Sequence, residues 1–242
     1  MTAELSSLKV KLFSDGANKD AMIEMASKPY IKGLTTNPTL MRKAGVQNYR
    51  LFAQEILAEI RDKPISFEVF SDDLTEMKSQ ALEIASWAEN VYVKVPITNS
   101  VGVPTTEVIS YLSSNNVKLN ITAILTSPQV AEVVSALNPK ISNYISVFAG
   151  RIADTGVDPI PMMKDCLKII EVNPMSELIW ASPRELLNIF QADEIGCHII
   201  TATSDILSKL NLIGKDLTTY SLETVKMFRN DAVQSGFEID KA

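Results

Sequence analysis

Cysteine is scarce in this chain of 242 residues, which contains only Cys166 and Cys197. Two cysteines are too few for a disulfide framework, and these two lack the paired spacing of a zinc site. The sequence therefore gives no sign of a metal site, and it favours a reducing compartment such as the cytoplasm.

Positive charge is also in short supply. The chain has 23 Lys and Arg residues against 29 Asp and Glu residues, a net charge of -6 and a pI near 5.0. Such a protein has no basic field to attract nucleic acid or an acidic membrane. Nucleic acid is thus not an expected partner, and an anionic small substrate would need arginines placed locally.

Long hydrophobic runs are missing as well. No apolar stretch approaches the roughly 20 residues of a membrane span, and the first ten residues do not read as a secretory signal. No linker, low-complexity stretch or charge block divides the chain. We therefore expect a soluble protein that does not associate with membranes, built as one domain over residues 1–242.

What the sequence does contain is a regular alternation of short apolar runs and longer helical patterns. The runs are rich in β-branched residues and almost continuously apolar, which is typical of parallel strands buried on both faces. Eight strands are predicted, at residues 10–14, 31–35, 65–69, 91–95, 119–124, 144–148, 178–181 and 198–202. Residues 48–61, 74–88 and 161–172 have apolar residues three or four apart, which predicts helices.

This alternation favours an α/β fold with a single (β/α)8 barrel, the TIM barrel. A doubly wound open sheet is the alternative, but the strands are evenly distributed and no Gly-x-Gly-x-x-Gly phosphate loop occurs. Residues 221–234 predict an amphipathic C-terminal helix after the barrel closes.

Polar residues occur at the ends of nearly all the predicted strands. In barrel enzymes the carboxyl ends of the strands carry the active site, so these residues are candidates for it. They are Asp15, Thr35, Thr36, Asn37, Glu68, Lys94, Asn120, Thr122, Ser146, Arg151, Ser182, Arg184, Thr201 and Thr203.

Lys94 is the strongest single signal, because it lies inside the apolar run Val-Tyr-Val-Lys-Val-Pro at residues 91–96. A buried ammonium carries a large desolvation penalty unless something compensates for it. Burial favours the free amine, which attacks carbonyl groups. Lys94 is therefore a candidate nucleophile; a side chain that reaches solvent or a structural ion pair are the alternatives.

Two carboxylates, Asp15 and Glu68, would share the barrel mouth with Lys94 and could move protons during turnover. For Asp15 the alternative is a helix N-cap or a turn former before Ala17.

Two arginines, Arg151 and Arg184, follow strands six and seven. Together with the Ser182 hydroxyl they could hold a phosphate, a group that barrels often bind after their late strands. The alternative is that they are solvated or paired with an acid such as Asp154.

With these residues assembled, the sequence resembles the transaldolase family from about Lys11 to the end of strand eight. Residues 33–38, Gly-Leu-Thr-Thr-Asn-Pro, are similar to the family's Gly-Val-Thr-Thr-Asn-Pro element, and Val-Lys-Val-Pro at 93–96 is similar to the segment with its Schiff-base lysine. The resemblance is to the small members of the family, a group that includes fructose-6-phosphate aldolases, and it implies a homo-oligomer.

The resemblance implies a role for each matching residue. Lys94 would form an imine with the ketose carbonyl, Asp15 would take the proton from the hydroxyl next to the breaking bond, and Glu68 would shuttle protons through a water near Thr122. The sugar would be bound by Thr35, Asn37, Asn120, Ser146, Phe148, Arg151, Ser182 and Arg184, and the last three would hold its phosphate. No metal or organic cofactor is expected, because the imine itself accepts electrons.

Two positions distinguish a transferase from a lyase within this resemblance. The related aldolases have glutamine at the position of Glu68 and tyrosine at the position of Phe148. Phe148 has no hydroxyl with which to protonate the enamine, so the intermediate would wait for an aldehyde acceptor. The implied function is transfer of dihydroxyacetone from sedoheptulose 7-phosphate or fructose 6-phosphate to an aldose phosphate, in the pentose phosphate pathway. An aldolase-like lyase and a barrel used only for binding are the alternatives.

Overall fold

Eight parallel strands form a closed barrel in the computed structural model, which describes residue 5 and residues 7–239. Each strand pairs with its sequence neighbours, and β8 pairs with β1 to close the barrel. The strands are β1 Lys11–Asp15, β2 Ile31–Thr35, β3 Ile65–Glu68, β4 Val91–Pro96, β5 Leu119–Ile124, β6 Asn143–Val147, β7 Ser176–Trp180 and β8 Ile199–Thr203. The predicted (β/α)8 barrel is confirmed, and every predicted strand end lies within two residues of the observed one.

Helices alternate with these strands along the chain. They are α1 Lys19–Ser27, α2 Pro38–Lys43, α3 Tyr49–Glu59, α4 Leu74–Ala85, α5 Thr106–Ser114, α6 Ser127–Ala136, α7 Ala149–Asp154, α8 Pro159–Ile170, α9 Leu187–Glu194, α10 Ser204–Leu207 and α11 Leu217–Gln234. A 3-10 turn, Ser208–Leu212, follows α10. The three helices predicted between strands correspond to α3, α4 and α8, with ends shifted by up to three residues.

Polar side chains fix where several of these helices begin. The side chains of Asn18, Asn48 and Asp73 each accept a hydrogen bond from a backbone N–H in the first turn of α1, α3 and α4. Thr126 and Gln129 form a reciprocal capping box at the start of α6. The caps at Asn18, Asp73 and Thr126 end loops that follow strands β1, β3 and β5, whereas Asn48 ends the connection between α2 and α3.

The interior of the barrel is filled by an aromatic and aliphatic cluster rather than left open. Tyr92 stacks on Tyr144 at 4.0 Å between ring centroids, and Phe13 meets Tyr144 edge-on at 5.7 Å. Gly33 makes room for the Phe13 ring, since a Cβ at Gly33 would lie 2.4 Å from it. Side chains two residues apart on a strand share one face, so residues two positions after these rings also point inward, but nearer the carboxyl ends of the strands.

The C-terminal helix α11 begins four residues before its predicted start, at Leu217, and none of its residues is buried. Among the described residues, no helix is long and apolar enough to cross a membrane. The predicted domain limits at residues 1 and 242 lie outside the described residues, and the single domain stays a prediction.

Candidate active site

A cavity of about 620 Å³ opens at the carboxyl ends of the strands. Every residue that was given a role from the sequence lines it except Asn120, while Thr36, a candidate by its position at a strand end, does not line it. The lining includes Asp15, Thr35, Asn37, Glu68, Lys94, Thr122, Ser146, Phe148, Arg151, Ser182 and Arg184. Side chains scattered over the whole sequence therefore meet in one place, because barrel closure brings all the strand ends together.

Lys94 is buried at the bottom of this group, with 7% of its side chain exposed. Its Nζ lies 3.2 Å from Oε2 of Glu68 and donates to the Thr36 carbonyl at 3.2 Å. The pair follows from strand register, which sets Glu68 of β3 beside Lys94 of β4. The alternative of a side chain reaching solvent is excluded, while the alternative of an ion pair is found. Since both partners also line the cavity, the pair leaves the amine within reach of a bound molecule.

The backbone at Glu68 is hydrogen-bonded to an aromatic side chain. The Tyr49 hydroxyl donates to the Glu68 carbonyl at 2.7 Å. Burial raises the pKa of Tyr49, so this hydroxyl keeps its proton as a donor. The Tyr49 ring packs against Phe67 and Trp87. The end of β3 is thereby fixed while the Glu68 carboxylate stays free to face Lys94.

Asp15 ends β1 at the same mouth, and its Oδ1 accepts a hydrogen bond from Thr35 Oγ1 at 2.7 Å. Burial raises the pKa of the Asp15 carboxyl, while the positive charge of Lys94 and the Thr35 hydroxyl act in the opposite direction. Asp15 does not cap the following helix, because the cap of α1 is Asn18. The side chain is therefore not committed to backbone structure.

A buried hydrogen-bonded row lies under the cavity floor. Ser146 Oγ donates to Asn120 Oδ1 at 2.7 Å, and Asn120 Nδ2 donates to Ser66 Oγ at 2.9 Å. Ser146 lines the cavity, whereas Asn120 is fully buried and supports it from below. Sequence reasoning missed Ser66, because one serine in an apolar run carries no signal of its own.

Two further polar groups at the cavity offer unused hydrogen-bonding capacity. The Thr122 hydroxyl is buried and has no hydrogen-bond partner in the described part of the chain. Such a group in a native protein requires an explanation, and here it lines a cavity where a ligand or a water could meet it. The Asn37 oxygen caps α2 by accepting from Leu40 N at 3.0 Å, which leaves the amide nitrogen as a donor.

The arginines differ in their surroundings. Arg184 binds Asp154 through two nitrogens, with Nε 2.8 Å from Oδ1, and the guanidinium lowers the pKa of the Asp154 carboxyl. This is the ion pair considered as an alternative from the sequence. Arg151 lies over the Phe148 ring, with its guanidinium carbon 5.5 Å from the ring centroid. Both arginines line the cavity.

The segments that carry these arginines touch through their backbones. A Cβ at Gly150 would lie 1.5 Å from the Ser182 carbonyl oxygen and 3.4 Å from Arg184 Nε. Ser182 itself has φ of 60°, in the left-handed region. Only glycine permits this approach, so residue 150 locks α7 against the loop after β7. The signal available in the sequence was slight: a single Gly-Arg pair after strand six.

The histidine and the two cysteines do not line the cavity. His198 Nδ1 accepts from Leu178 N at 3.0 Å, and burial lowers the pKa of its imidazole, as suits a structural histidine. Cys166 and Cys197 are free and buried. Within residues 7–239 and residue 5, no group of three His, Cys, Asp or Glu side chains is arranged to hold a metal ion. Thr201 and Thr203, which were candidates by position but had no individual role, line the cavity, and so does Asp205, which sequence reasoning missed.

Comparison with known proteins gives one consistent family. The family model described as Transaldolase/Fructose-6-phosphate aldolase matches residues 12–241. A probable transaldolase of Streptococcus equi subsp. zooepidemicus is 34% identical over 216 residues, which cover 89% of this chain and 95% of the relative. A probable transaldolase of Thermoanaerobacter sp. is 32% identical over 231 residues, which cover 95% of this chain and 100% of the relative. One from Methanococcus maripaludis is 32% identical over 202 residues, 83% of this chain and 89% of the relative.

Proposed function

Because the chain belongs to the transaldolase and fructose-6-phosphate aldolase family, we propose that it is a transaldolase working through a Schiff base at Lys94. Family membership supports a transferase with transaldolase-like activity. The finer proposal is that a dihydroxyacetone unit passes from sedoheptulose 7-phosphate or fructose 6-phosphate to an aldose phosphate.

The observation that carries this proposal is the environment of Lys94. Its amine is buried, lies 3.2 Å from the Glu68 carboxylate and lines the cavity. Attack of the neutral amine on a ketose carbonyl gives a carbinolamine, which must lose water to become an imine. Glu68 is close enough to move the protons of that step, and the unpartnered Thr122 hydroxyl suits a water that relays them.

Asp15 is the proposed base for carbon–carbon cleavage. In that step the carboxylate takes the proton of the hydroxyl beyond the breaking bond, the aldose leaves as an aldehyde, and the bonding electrons pass to the imine to form an enamine. The reverse sequence on an acceptor aldehyde forms the new bond, and hydrolysis of the imine releases the product. Asp15 must be ionised to act, and the positive charge of Lys94 favours that form.

The polar groups that line the cavity would divide between the two ends of a sugar phosphate. The amide of Asn37 and the hydroxyl of Ser146, supported by Asn120, would bind the hydroxyls of the three-carbon unit. Arg151, Arg184 and Ser182 would hold the phosphate. Since Asp154 occupies two nitrogens of Arg184, the phosphate would use the remaining donors or displace the carboxylate.

An aldolase-like lyase is the second candidate, because the family description includes fructose-6-phosphate aldolase. Phe148 favours transfer instead. Its ring lines the cavity and carries no acidic proton, so the enamine would persist until an acceptor arrives.

A homo-oligomer, a cytoplasmic location and a place in the pentose phosphate pathway complete the proposal. Support for assembly comes from α11, where Leu222, Val225, Met227 and Phe228 are each at least half exposed although large and apolar.

Borohydride trapping tests the Schiff base directly. The protein is incubated with fructose 6-phosphate, reduced, digested and analysed by mass spectrometry. We expect an adduct on the peptide containing Lys94, no adduct in Lys94→Met, and a normal adduct in Lys140→Met, which removes an exposed lysine. An adduct that persists in Lys94→Met, or none in the wild type, would refute the mechanism.

Product analysis separates transferase from lyase. With fructose 6-phosphate alone we expect little free dihydroxyacetone, and with erythrose 4-phosphate added we expect sedoheptulose 7-phosphate. Rapid release of dihydroxyacetone without acceptor would instead identify a lyase.

A further inference from the structure

We propose that Thr201 is a positioning residue that keeps Asp15 ready as a base through the hydroxyl of Thr35. The inference rests on the proposed function, because it assigns Thr201 a part in the reaction that Asp15 would perform. Thr201 stands at a strand end in the sequence, but neither the family resemblance nor the proposed mechanism gave it a task.

The three side chains form a continuous hydrogen-bonded row across the barrel mouth. Thr201 Oγ1 lies 2.6 Å from Thr35 Oγ1, which lies 2.7 Å from Asp15 Oδ1. The row joins β8, β2 and β1, and β1 lies between the other two strands in the barrel. Both residues are buried, with 6% of the surface of Thr201 and 2% of that of Thr35 exposed, although both line the cavity.

The protonation state of Asp15 determines which group donates and which accepts in each hydrogen bond of the row. When Asp15 is ionised it can only accept, so Thr35 donates its one proton to Asp15 and Thr201 donates to Thr35. Each proton then has an acceptor. When Asp15 is protonated on Oδ1 and donates to Thr35, Thr35 must donate to Thr201, and the Thr201 proton has no further acceptor among the described residues. When the proton is on Oδ2 instead, Thr35 still donates to Oδ1, but the oxygen of a neutral carboxyl accepts more weakly than that of a carboxylate. A buried donor without an acceptor is unfavourable, so the row favours the ionised carboxylate.

This preference opposes the effect of burial. Burial raises the pKa of Asp15 and would leave more of the base protonated near neutral pH, while Lys94 and Thr35 act against it. Other charged groups share a cavity lining with Asp15: Lys43, Glu68, Lys94, Arg151, Arg184 and Asp205. None of these is altered by a substitution at residue 201, so a change in the titration of Asp15 reports on the row itself.

Thr201→Val removes the hydroxyl at nearly constant shape, and Thr201→Ser retains it. The measurement is kcat/KM against pH with fructose 6-phosphate as donor and erythrose 4-phosphate as acceptor. Loss of a cooperative donor weakens the bond from Thr35 by a modest fraction, so in Thr201→Val we expect the acidic limb to move to higher pH by about 0.2–0.5 units. Activity at high pH should stay within about twofold of the wild type, and Thr201→Ser should retain the wild-type limb.

Other outcomes would overturn the proposal. An unmoved acidic limb in Thr201→Val would do so, as would an equal shift in Thr201→Ser. A raised KM with an unmoved limb would make Thr201 a substrate contact instead. If Thr201→Val does not fold, as judged by circular dichroism, Thr201→Ala provides the same test with a smaller side chain.

A second measurement tests the role of Thr201 without depending on the proposed function. The Asp15 carboxyl can be titrated by carbon-13 NMR in aspartate-labelled protein without substrate, with Asp15→Asn to assign the signal. A higher titration midpoint in Thr201→Val than in wild type supports the row even if the protein proves inactive as a transaldolase. Equal midpoints refute the row even if the transaldolase activity is found.

Discussion

Phe148 occupies the first position after β6, where its ring lines the cavity below the Arg151 guanidinium. An aromatic ring at this place can contact a bound sugar, but it cannot give the enamine a proton. The choice between transfer and cleavage therefore depends, in the proposed mechanism, on the absence of one hydroxyl.

Phe148→Tyr tests this point. General acid catalysis contributes on the order of 10²- to 10⁴-fold, so a hydroxyl near the enamine should raise release of dihydroxyacetone from fructose 6-phosphate by at least about tenfold. Transfer to erythrose 4-phosphate should fall correspondingly. Phe148→Leu, which adds no acid, serves as the control, and an equal increase in both variants would mean that the hydroxyl is not the cause.

Arg184 raises a different question at the same scale, since its guanidinium is already bound by Asp154. If it also holds the phosphate, Arg184→Ala should raise KM for fructose 6-phosphate roughly 10- to 100-fold, as loss of a charge-assisted hydrogen bond implies. KM for unphosphorylated donors should change little. Arg50→Ala is the matched control, because Arg50 is another exposed arginine in an ion pair, 3.0 Å from Glu83. Equal changes for both classes of donor would remove the phosphate role.

At the scale of secondary-structure elements, the site depends on how α7 meets the loop after β7. Each segment brings one arginine to the cavity, and Gly150 allows their backbones to touch. The position of one arginine is thus tied to the position of the other through this backbone contact, in addition to the ion pair between Arg184 and Asp154 of α7.

Gly150→Ala should break this contact. The added Cβ would lie 1.5 Å from the Ser182 oxygen, so one of the two segments must move. Overpacking of this kind costs about 1–3 kcal/mol or more, and we expect at least about 2 kcal/mol here in urea unfolding. Gly16→Ala is the control, because a Cβ there meets nothing within 4 Å. Equal unfolding midpoints for the two variants would contradict the argument.

Elements were predictable where the pattern of apolar residues is local. Strands β2 and β5 have the predicted ends, and four of the five residues of β2 and five of the six residues of β5 are buried. The start of α11 was less clear: the helix begins at Leu217 rather than 221 because Asp216, outside the apolar pattern, caps it through Thr219 N.

At the scale of the whole molecule, α11 receives little support from the rest of the described chain. It is 18 residues long and buries none of them. A helix that exposes its apolar residues gains little from the barrel, and the proposed homo-oligomer would bury those residues.

Sedimentation analysis tests this assembly. We expect the wild type to sediment at a multiple of the 26.6 kDa chain mass. Phe228→Asp places a charge in the apolar stripe and should shift the protein toward the monomer, while Asn230→Asp adds the same charge at a polar, exposed position and should not. A wild-type monomer at micromolar concentration would contradict the proposed homo-oligomer.

The sequence by itself determined the barrel and the family, because both can be inferred from local patterns of apolar residues and from short motifs. Alternating apolar runs and amphipathic segments favour a layered α/β fold. A lysine in an apolar strand, together with the separate Thr-Thr-Asn-Pro element at residues 35–38, indicates the candidate chemistry. Each of these features can be recognised in the sequence without a structure, since it depends on neighbours within about ten residues.

Only the tertiary structure decided which of the polar residues act on one another. Thr35 and Thr201 are 166 residues apart and meet because β1 closes the barrel between β2 and β8. The same holds for Arg184 with Asp154, 30 residues apart, and for Asn120, which register and burial place beneath the cavity rather than in its wall. Contacts of this kind depend on strand register and closure, which the order of residues along the chain does not display.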